Sequence, residues 1–384
     1  MPHKIGYVDN ANGVLAHYNM LAQIRHFAGG FGDIGSIGGT RAGTGTLAGL
    51  EAAPASVTET WTLTCTAAAA NGGTFSVSGS VSGAQAAATV GSAYDNGLLK
   101  FTLTDGATDF VVGDVFTIPV TQGAASAANA EWEVLMHSTI DPYHQLILKG
   151  AGYSGTEEIF VGFSTYLDVA ADYYNLIVWG FTGYVPGNSM ASQPGARWSA
   201  VPAHNQRIDY WLTVSPQRIA FGLKVGTPVY ESAYVGKMLP YARPSQFPYP
   251  MVVAGMLAAN SAPATRFSDT AHSMPYKGNR SNLALRDNAG NWLQVECHPW
   301  NNNVLAGVGT GTTTNVRDTG GEYPLLPIIL SDANGIYGEL EGVFYISGFN
   351  NVVENTLEIE GITYVVLEDV YRTGHTDHYA LRMS

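Results

Sequence analysis

Charge is what this sequence has least of. Asp, Glu, Lys and Arg make up 13% of its 384 residues, about half the share in an average globular protein. With 18 basic and 31 acidic side chains the formal charge is −13. Binding to a phosphate backbone is driven by Lys and Arg releasing counterions. No basic cluster is present to supply that drive, so nucleic acid is not an expected partner. No apolar run approaches the roughly 18 residues a spanning helix needs, and no membrane span is expected. The opening Met1-Pro2-His3-Lys4-Ile5-Gly6 lacks the apolar stretch of a secretory signal, so the expectation is a chain made and kept in solution. Cysteine is nearly absent: Cys65 and Cys297 lie in strand-like stretches, where a buried free thiol is the expected state.

Signatures of catalysis are missing or lack their context. There is no G-x-S-x-G nucleophile elbow. Gly150-Ala151-Gly152-Tyr153-Ser154-Gly155 has the glycine spacing of a dinucleotide loop. The strand-like Glu158-Ile159-Phe160-Val161 follows it, however, where a phosphate-binding helix would have to begin, so a hairpin turn is expected. His375 and His378 are the only neighbouring histidines, and strand alternation would put them on opposite faces. A solvated turn is expected there and no metal ligand. Glu157 with Glu158, or Asp168 with Asp172, would make a glycosidase pair only if they faced each other across a cleft; adjacent glutamates on a strand point apart. These read as charged turn residues. The expectation is no enzyme, no cofactor and no metal.

What is abundant is glycine, 45 residues of it, with many small polar side chains. A surface so short of charge has little to hold neighbours off, which points to cover by partner subunits. Met20, Leu21, Ile24, Phe27 and Ala28 recur at helical spacing. Asp9 or Asn12 is the candidate N-cap and Gly29-Gly30 ends the run, giving one amphipathic helix of about four turns. The Gly- and Thr-rich stretch from Gly35 to Gly49 reads as a linker or extended arm.

From Thr58 to Val120 short β runs follow one another: Trp61-Thr62-Leu63-Thr64-Cys65, Thr74-Phe75-Ser76-Val77, Leu98 to Leu103 and Val115-Phe116-Thr117-Ile118. Turn signals at Asn71-Gly72-Gly73, Asn96-Gly97 and Asp105-Gly106 separate them. A second Gly/Ala/Ser stretch, Gln122 to Ala130, closes this unit, so it reads as a module inserted into a host. From Glu131 onward strand and turn alternate again, with aromatics concentrated in the strands. Pro240, Pro244, Pro248 and Pro250 forbid a central strand, so that segment is expected to run extended over a surface. Leu357-Glu358-Ile359 and Tyr364 to Leu367 flank Glu360-Gly361 as a terminal hairpin. The expected fold is mainly β: a large sandwich or barrel-like host domain with an inserted small Ig-like β-sandwich module and one N-terminal helix. Its parts are an N-terminal helix and arm over 1–54, the module over 55–123 and the main domain over 124–384.

The module's strings Trp61 to Ala68, Asn71 to Val77, Asp105 to Phe110 and Val112 to Phe116 resemble a small β module of virion proteins in tailed bacteriophages. In it Gly106 and Gly113 would serve turns, Asp109 and Asp114 would cap them, and Phe101, Phe110 and Phe116 would share one core. Lys224 to Glu231, Leu239 to Gln246, and Tyr371 to Gly374 before Tyr379 to Arg382 resemble phage virion structural proteins of tail or baseplate type. The resemblance implies a virion location and assembly with copies of itself, as a ring or trimer, and with other phage virion proteins. Tyr241, Arg243, Phe247, Tyr249, Ile24 and Phe27 are the interface candidates. An alternative is a receptor- or glycan-binding tail protein that touches a host surface glycan, with Tyr173-Tyr174 and Tyr210-Trp211 as further stacking candidates. A capsid decoration protein is a second alternative.

Overall fold

The computed structural model describes residues 1–10, 13–241, 251–278, 281–287, 289–300, 325–348 and 351–384. The chain is mainly β, and it divides into two compact units, Met1–Arg25 with Trp132–Ser384, and His26–Glu131.

The helix spans Ala16–Ala28, and Met20, Leu21 and Ile24 are fully buried. Its cap differs from the expectation. Asn10 Oδ1 accepts from the Ala16 N–H at 2.8 Å, the Asp9 carbonyl accepts from Asn19 Nδ2, and Asn12 lies outside the described residues. At the other end Gly30 takes φ +71°, which lets the Phe31 N–H reach back to the His26 carbonyl at 3.1 Å, the closure that glycine permits without a Cβ penalty.

His26–Glu131 is a two-sheet sandwich. One sheet orders Asp33–Ile34, Val115–Thr121, Glu59–Ala69, Gly72–Gly79 and Gly83–Thr89; the other orders Thr46–Ala52, Leu99–Thr104 and Ala93–Asp95. Trp61, Leu63, Phe75, Phe101, Phe110 and Phe116 meet in one core between them. Asp114 accepts from the N–H groups of Ala42, Gly43 and Val111, and Asp109 from that of Asn71.

The unit is larger than the 55–123 expected, because the Gly-rich stretch is part of it. Thr46–Ala52 pairs with Leu99–Thr104, and Gly38 bridges Thr117. Glycine here serves close approach instead of flexibility: a Cβ on Gly39 would lie 2.0 Å from the Val115 carbonyl oxygen, and one on Gly45 2.2 Å from Phe110 Cζ. Gly106 likewise serves contact, with Thr44, and not a turn. At the far end Gln122–Ala130 folds into a one-turn helix, Ala124–Ala127, a second helix that the sequence reading lacked.

Met1–Arg25 with Trp132–Ser384 carries three sheets. The central one orders His3–Val8, Ile208–Val214, Arg218–Val225, Tyr230–Lys237, Met251–Ala254, Leu283–Arg286 and Trp292–Gln294. Consecutive residues of Arg218–Val225 show how it is covered. Phe221 meets Phe163 of Ile159–Asp168, at 6.5 Å between rings, while a Cβ on Gly222 would strike Leu367 of Ile362–Glu368. Successive strand side chains point to opposite faces, so the central sheet lies between two others. The five-stranded sheet on one side runs Glu133–Ser138, Gln145–Gly150, Ile159–Asp168, Tyr173–Phe181 and Arg197–Val201. The sheet on the other side runs Glu296–His298, Leu326–Asp332, Gly335–Tyr345, His378–Arg382, Ile362–Glu368 and Thr356–Ile359. Burial on both faces explains why every residue of Tyr230–Lys237 is buried, its polar Glu231, Ser232 and Lys237 included. Glu360-Gly361 does turn the terminal hairpin, with Ile359 opposite Ile362.

Gly45→Ala places its methyl against Phe110 and the Thr104 carbonyl. It should lower stability by about 1–3 kcal/mol, the usual cost of overpacking. Gly72→Ala, whose Cβ meets nothing nearer than 3.8 Å, should be much milder in the same thermal or denaturant melt.

Candidate functional site

The expected interface residues scatter. Ile24 is fully buried and Phe27 is 6% exposed. Both are core side chains of the helix, which corrects their assignment to a surface: the helical stripe that marked them is the stripe that packs inward. Tyr241 is 52% exposed, directly after the short strand Leu239–Pro240, and its hydroxyl donates to Glu339 Oε2 at 2.8 Å. Partial burial and that carboxylate push the phenol up to about 12. Arg243, Phe247 and Tyr249 lie outside the described residues. Of the glycan candidates, Tyr174, Tyr210 and Trp211 are buried.

The paired carboxylates do not converge. Glu157 bonds Lys237 at 2.6 Å and Glu158 bonds Lys149 at 2.8 Å. Asp168 accepts from the Ala171 N–H, and Asp172 sits at φ +62° in the same turn. Gly152 and Gly155 hold left-handed turn conformations in the connection from Gln145–Gly150 to Ile159–Asp168, as a hairpin requires.

The structure instead assembles a cavity of about 620 Å3 between the start of the helix and the segment 137–144, within the range of small-ligand sites. Tyr18 from the helix and His144 stack inside it at 3.8 Å with an 18° interplanar angle. The Tyr18 hydroxyl donates to the Pro142 carbonyl at 2.9 Å, and the His144 N–H donates to Thr165 Oγ1 at 2.9 Å, so both rings are held in place. Asp141 Oδ1 lies 3.2 Å from His144 Nε2 while its side chain stays 79% exposed. Val14, Leu15 and Leu167 supply apolar wall. Ile140 and Tyr143 flank Asp141 in sequence and are both exposed. Burial, helped by Asp141, raises the Tyr18 phenol above its ordinary value. The two rings cover each other and are 5% and 8% exposed, so what the cavity offers a ligand is an apolar wall with aromatic edges beside an accessible carboxylate.

Behind this wall His17 is fully buried, packs on Tyr18 and Tyr174, and among the described residues neither ring nitrogen has a hydrogen-bond partner. Sequence reading missed Tyr18, Asp141 and His144. The available signal was a second helical stripe, Leu15, Tyr18 and Ala22, offset from the core stripe.

Ionisable groups deeper in this unit act as cross-links. Arg218, wholly buried, donates to the Thr213 carbonyl at 3.1 Å, and its Nε lies 3.9 Å from Glu341 Oε2. Glu341 also accepts from Ser215 at 2.9 Å, from Gln217 at 3.2 Å and from Tyr153. Glu231 and His272 pair at 2.9 Å with both side chains at 0% exposure. Asp369 accepts from the Met274 N–H and from Lys277 at 2.7 Å, and forms an ion pair with Arg372 at 3.0 Å. Burial pushes the Glu231 carboxyl up to about 7 against the opposing pull of His272, and burial with Asp377 and Asp369 does the same to Glu368. Among the described residues no group of His, Cys, Asp and Glu is placed to hold a metal ion. Both cysteines are buried and free, and burial pushes the Cys297 thiol up to about 12.

No protein-family model and no curated protein sequence matches the chain. Among solved structures it is similar to FlgL of Xanthomonas campestris over 27% of its own length and 36% of that chain, at 19% identity and a TM-score of 0.18. The chain thus spans about a third of FlgL, and a likeness of that size carries no argument about fold or function.

Burial lowers the His17 imidazole to about 3, against 6.5 for a free histidine. The unfolded chain therefore binds a proton that the folded chain refuses between those values. The His17 contribution to stability is complete above pH 6.5 and is lost as pH falls toward 3, at up to about 1.4 kcal/mol per pH unit. Glu231 and Glu368 act with the opposite sign between about 4.5 and 7, because their raised carboxyls favour folding while protonated. Comparing the chain with His17→Phe cancels that contribution. The stability of the variant relative to the parent should rise steadily in denaturant titrations from pH 6.5 to 4.

Proposed function

We propose that this chain is a structural subunit of a tailed bacteriophage particle, in its tail or baseplate, and that it acts by assembly with itself and with neighbouring virion proteins. The observation that carries the reading is a self-contained sandwich inserted into a three-sheet β host, with the phage-like strings set at ordered places in both. Trp61 to Ala68 forms the inner strand of the module's larger sheet. Lys224 to Glu231 makes the tight connection between two central strands, closed by the Val225 N–H on the Val229 carbonyl at 2.8 Å. Tyr379 to Arg382 lies in the strand that joins Gly335–Tyr345 to Ile362–Glu368. Energy is spent on shape: the buried acids and bases tie sheets together, and the exposed apolar side chains include Ile5, Tyr7, Val112, Ile140 and Val352, a distribution suited to contacts between subunits.

Cryo-electron microscopy of intact particles, or antibody labelling against the chain, should place it at the tail or baseplate. Label confined to heads would favour capsid decoration. Absence of the chain from purified particles would overturn the proposal.

The cavity beside Tyr18 favours a second reading, a tail protein that binds a host surface glycan. The apolar wall of Val14, Leu15 and Leu167 with the Tyr18 edge can take the apolar side of a sugar while the exposed Asp141 carboxylate takes its hydroxyls. On a glycan array, any saccharide retained by the chain should be lost or weakened at least about tenfold, near 1.4 kcal/mol, by Tyr18→Ala and by Asp141→Ala. Tyr241→Ala should leave it unchanged. Retention unaffected by the first two variants would remove the cavity from consideration.

A further inference from the structure

Among the described residues the strand His3–Val8 stands at the end of the central sheet and pairs on one side only, with Ile208–Val214. The phase of that pairing is fixed by the Val214 N–H, which donates to the Pro2 carbonyl at 3.0 Å. Residues two apart share a direction in an antiparallel ladder. Pro2, Lys4, Gly6 and Val8 therefore turn their main-chain groups toward Ile208–Val214, and the N–H and C=O groups of His3, Ile5 and Tyr7 point to the open side. Among the described residues no hydrogen bond occupies those outward groups. The side chains of the same three residues share one face of the strand, where Ile5 is 60% and Tyr7 54% exposed. An unpaired edge carrying exposed apolar side chains is a template for another strand.

We propose that the occupant is a second copy of the chain, joined through His3–Val8 pairing antiparallel with itself about a two-fold axis at Gly6. This deepens the self-assembly part of the proposed function and rests on it only for its biological setting. The sequence of the edge is complementary to its own reverse. With Gly6 facing Gly6, Ile5 stands opposite Tyr7 twice, and His3 stands opposite Asp9 twice. The odd-numbered residues then exchange main-chain hydrogen bonds, as their outward groups require. An aliphatic β-branched side chain against an aromatic one is a favourable cross-strand pair, and an imidazole opposite a carboxylate can donate a hydrogen bond to it. Gly6 falls at a non-hydrogen-bonded pair, where Cα atoms approach to about 4.5 Å, and it brings no side chain to that closest point.

Other registers lose these matches. Centring the axis on Ile5 sets His3 against Tyr7, and centring it on Tyr7 sets Asp9 against Ile5; both forfeit the two imidazole–carboxylate pairs. Lys4, the residue type that commonly blunts edges, points to the opposite face and meets Val8. The contact is isologous, so it adds a two-fold to any ring and leaves the ring's own interfaces free.

Two single-cysteine variants of the full chain, Ile5→Cys and Tyr7→Cys, test the register. Opposed residues of a hydrogen-bonded pair have Cα atoms about 5.5 Å apart, inside the range a disulfide spans, whereas two residues at the same position would lie beyond its limit of about 7 Å. On mild oxidation, a mixture of the two variants should give the mixed dimer on a non-reducing gel, and each variant alone should give little. Cys65 and Cys297 are buried and should not interfere. In sedimentation equilibrium the unmodified chain should associate to a dimer, and Ile5→Lys should weaken that association at least about tenfold with an unchanged melting curve. A chain that stays monomeric at all concentrations, or cross-linking as efficient in each variant alone as in the mixture, overturns the proposal. A cross-linked dimer of a chain absent from particles would sink the virion reading alone, and a monomer found within particles would sink the edge alone.

Discussion

The host unit depends on one constraint: the inner strands of its central sheet, Arg218–Val225 and Tyr230–Lys237 above all, are covered on both faces. Phe221 and Gly222 are neighbours on one strand, yet one packs against the sheet containing Phe163 and the other against Leu367 and Tyr379. A sheet covered twice must carry side chains sized for both neighbours, and Gly222 is where the fit leaves no volume at all. Polar groups in such a layer have to find partners inside it. The bonds from Arg218 to Thr213, from Ser215 and Gln217 to Glu341, and between Glu231 and His272 follow from that requirement.

Buried pairs of this kind add little net stability when compared with well-packed apolar side chains, but they are strongly unfavourable when one partner is removed. Their effect is therefore on alignment. Glu341 takes three bonds from two separate segments, at Tyr153 and in the turn holding Ser215 and Gln217. Any sliding of the C-terminal sheet over the central one would strand that carboxylate. The three layers are thus registered by polar contacts and held by apolar ones.

Much of the fold was legible in the sequence where the signal was local. Alternation and turn residues locate Gly72–Gly79, Val115–Thr121 and the hairpin at Glu360-Gly361, because each depends on residues within a few positions. The Gly-rich stretch misled for a physical reason. Glycine is required both where a chain is loose and where it must lie against another backbone, and Gly39 and Gly45 belong to the second case through partners at Val115 and Phe110, far away in sequence. The interface candidates on the helix failed likewise: a stripe at 3.6-residue spacing reports that a face is apolar, and it carries no label for what covers that face. The cavity was illegible because Tyr18 and His144 meet only after a helix and a sheet have been placed. The layering of sheets was equally hidden, since a strand buried twice and one packed on a single side can share composition over five or six residues.

The ends of the inserted sandwich come together. A Cβ on Gly30 would lie 3.1 Å from side-chain carbons of both Ser126 and Glu131, and one on Gly123 would press on the Gly30 carbonyl. To the polypeptide on either side, the whole sandwich is thus equivalent to a tight loop between Arg25 and Trp132, and the entropy of closing it hardly depends on how many residues hang beyond the doorway. A domain of another size with equally close ends would ask the same of the chain at Arg25 and Trp132.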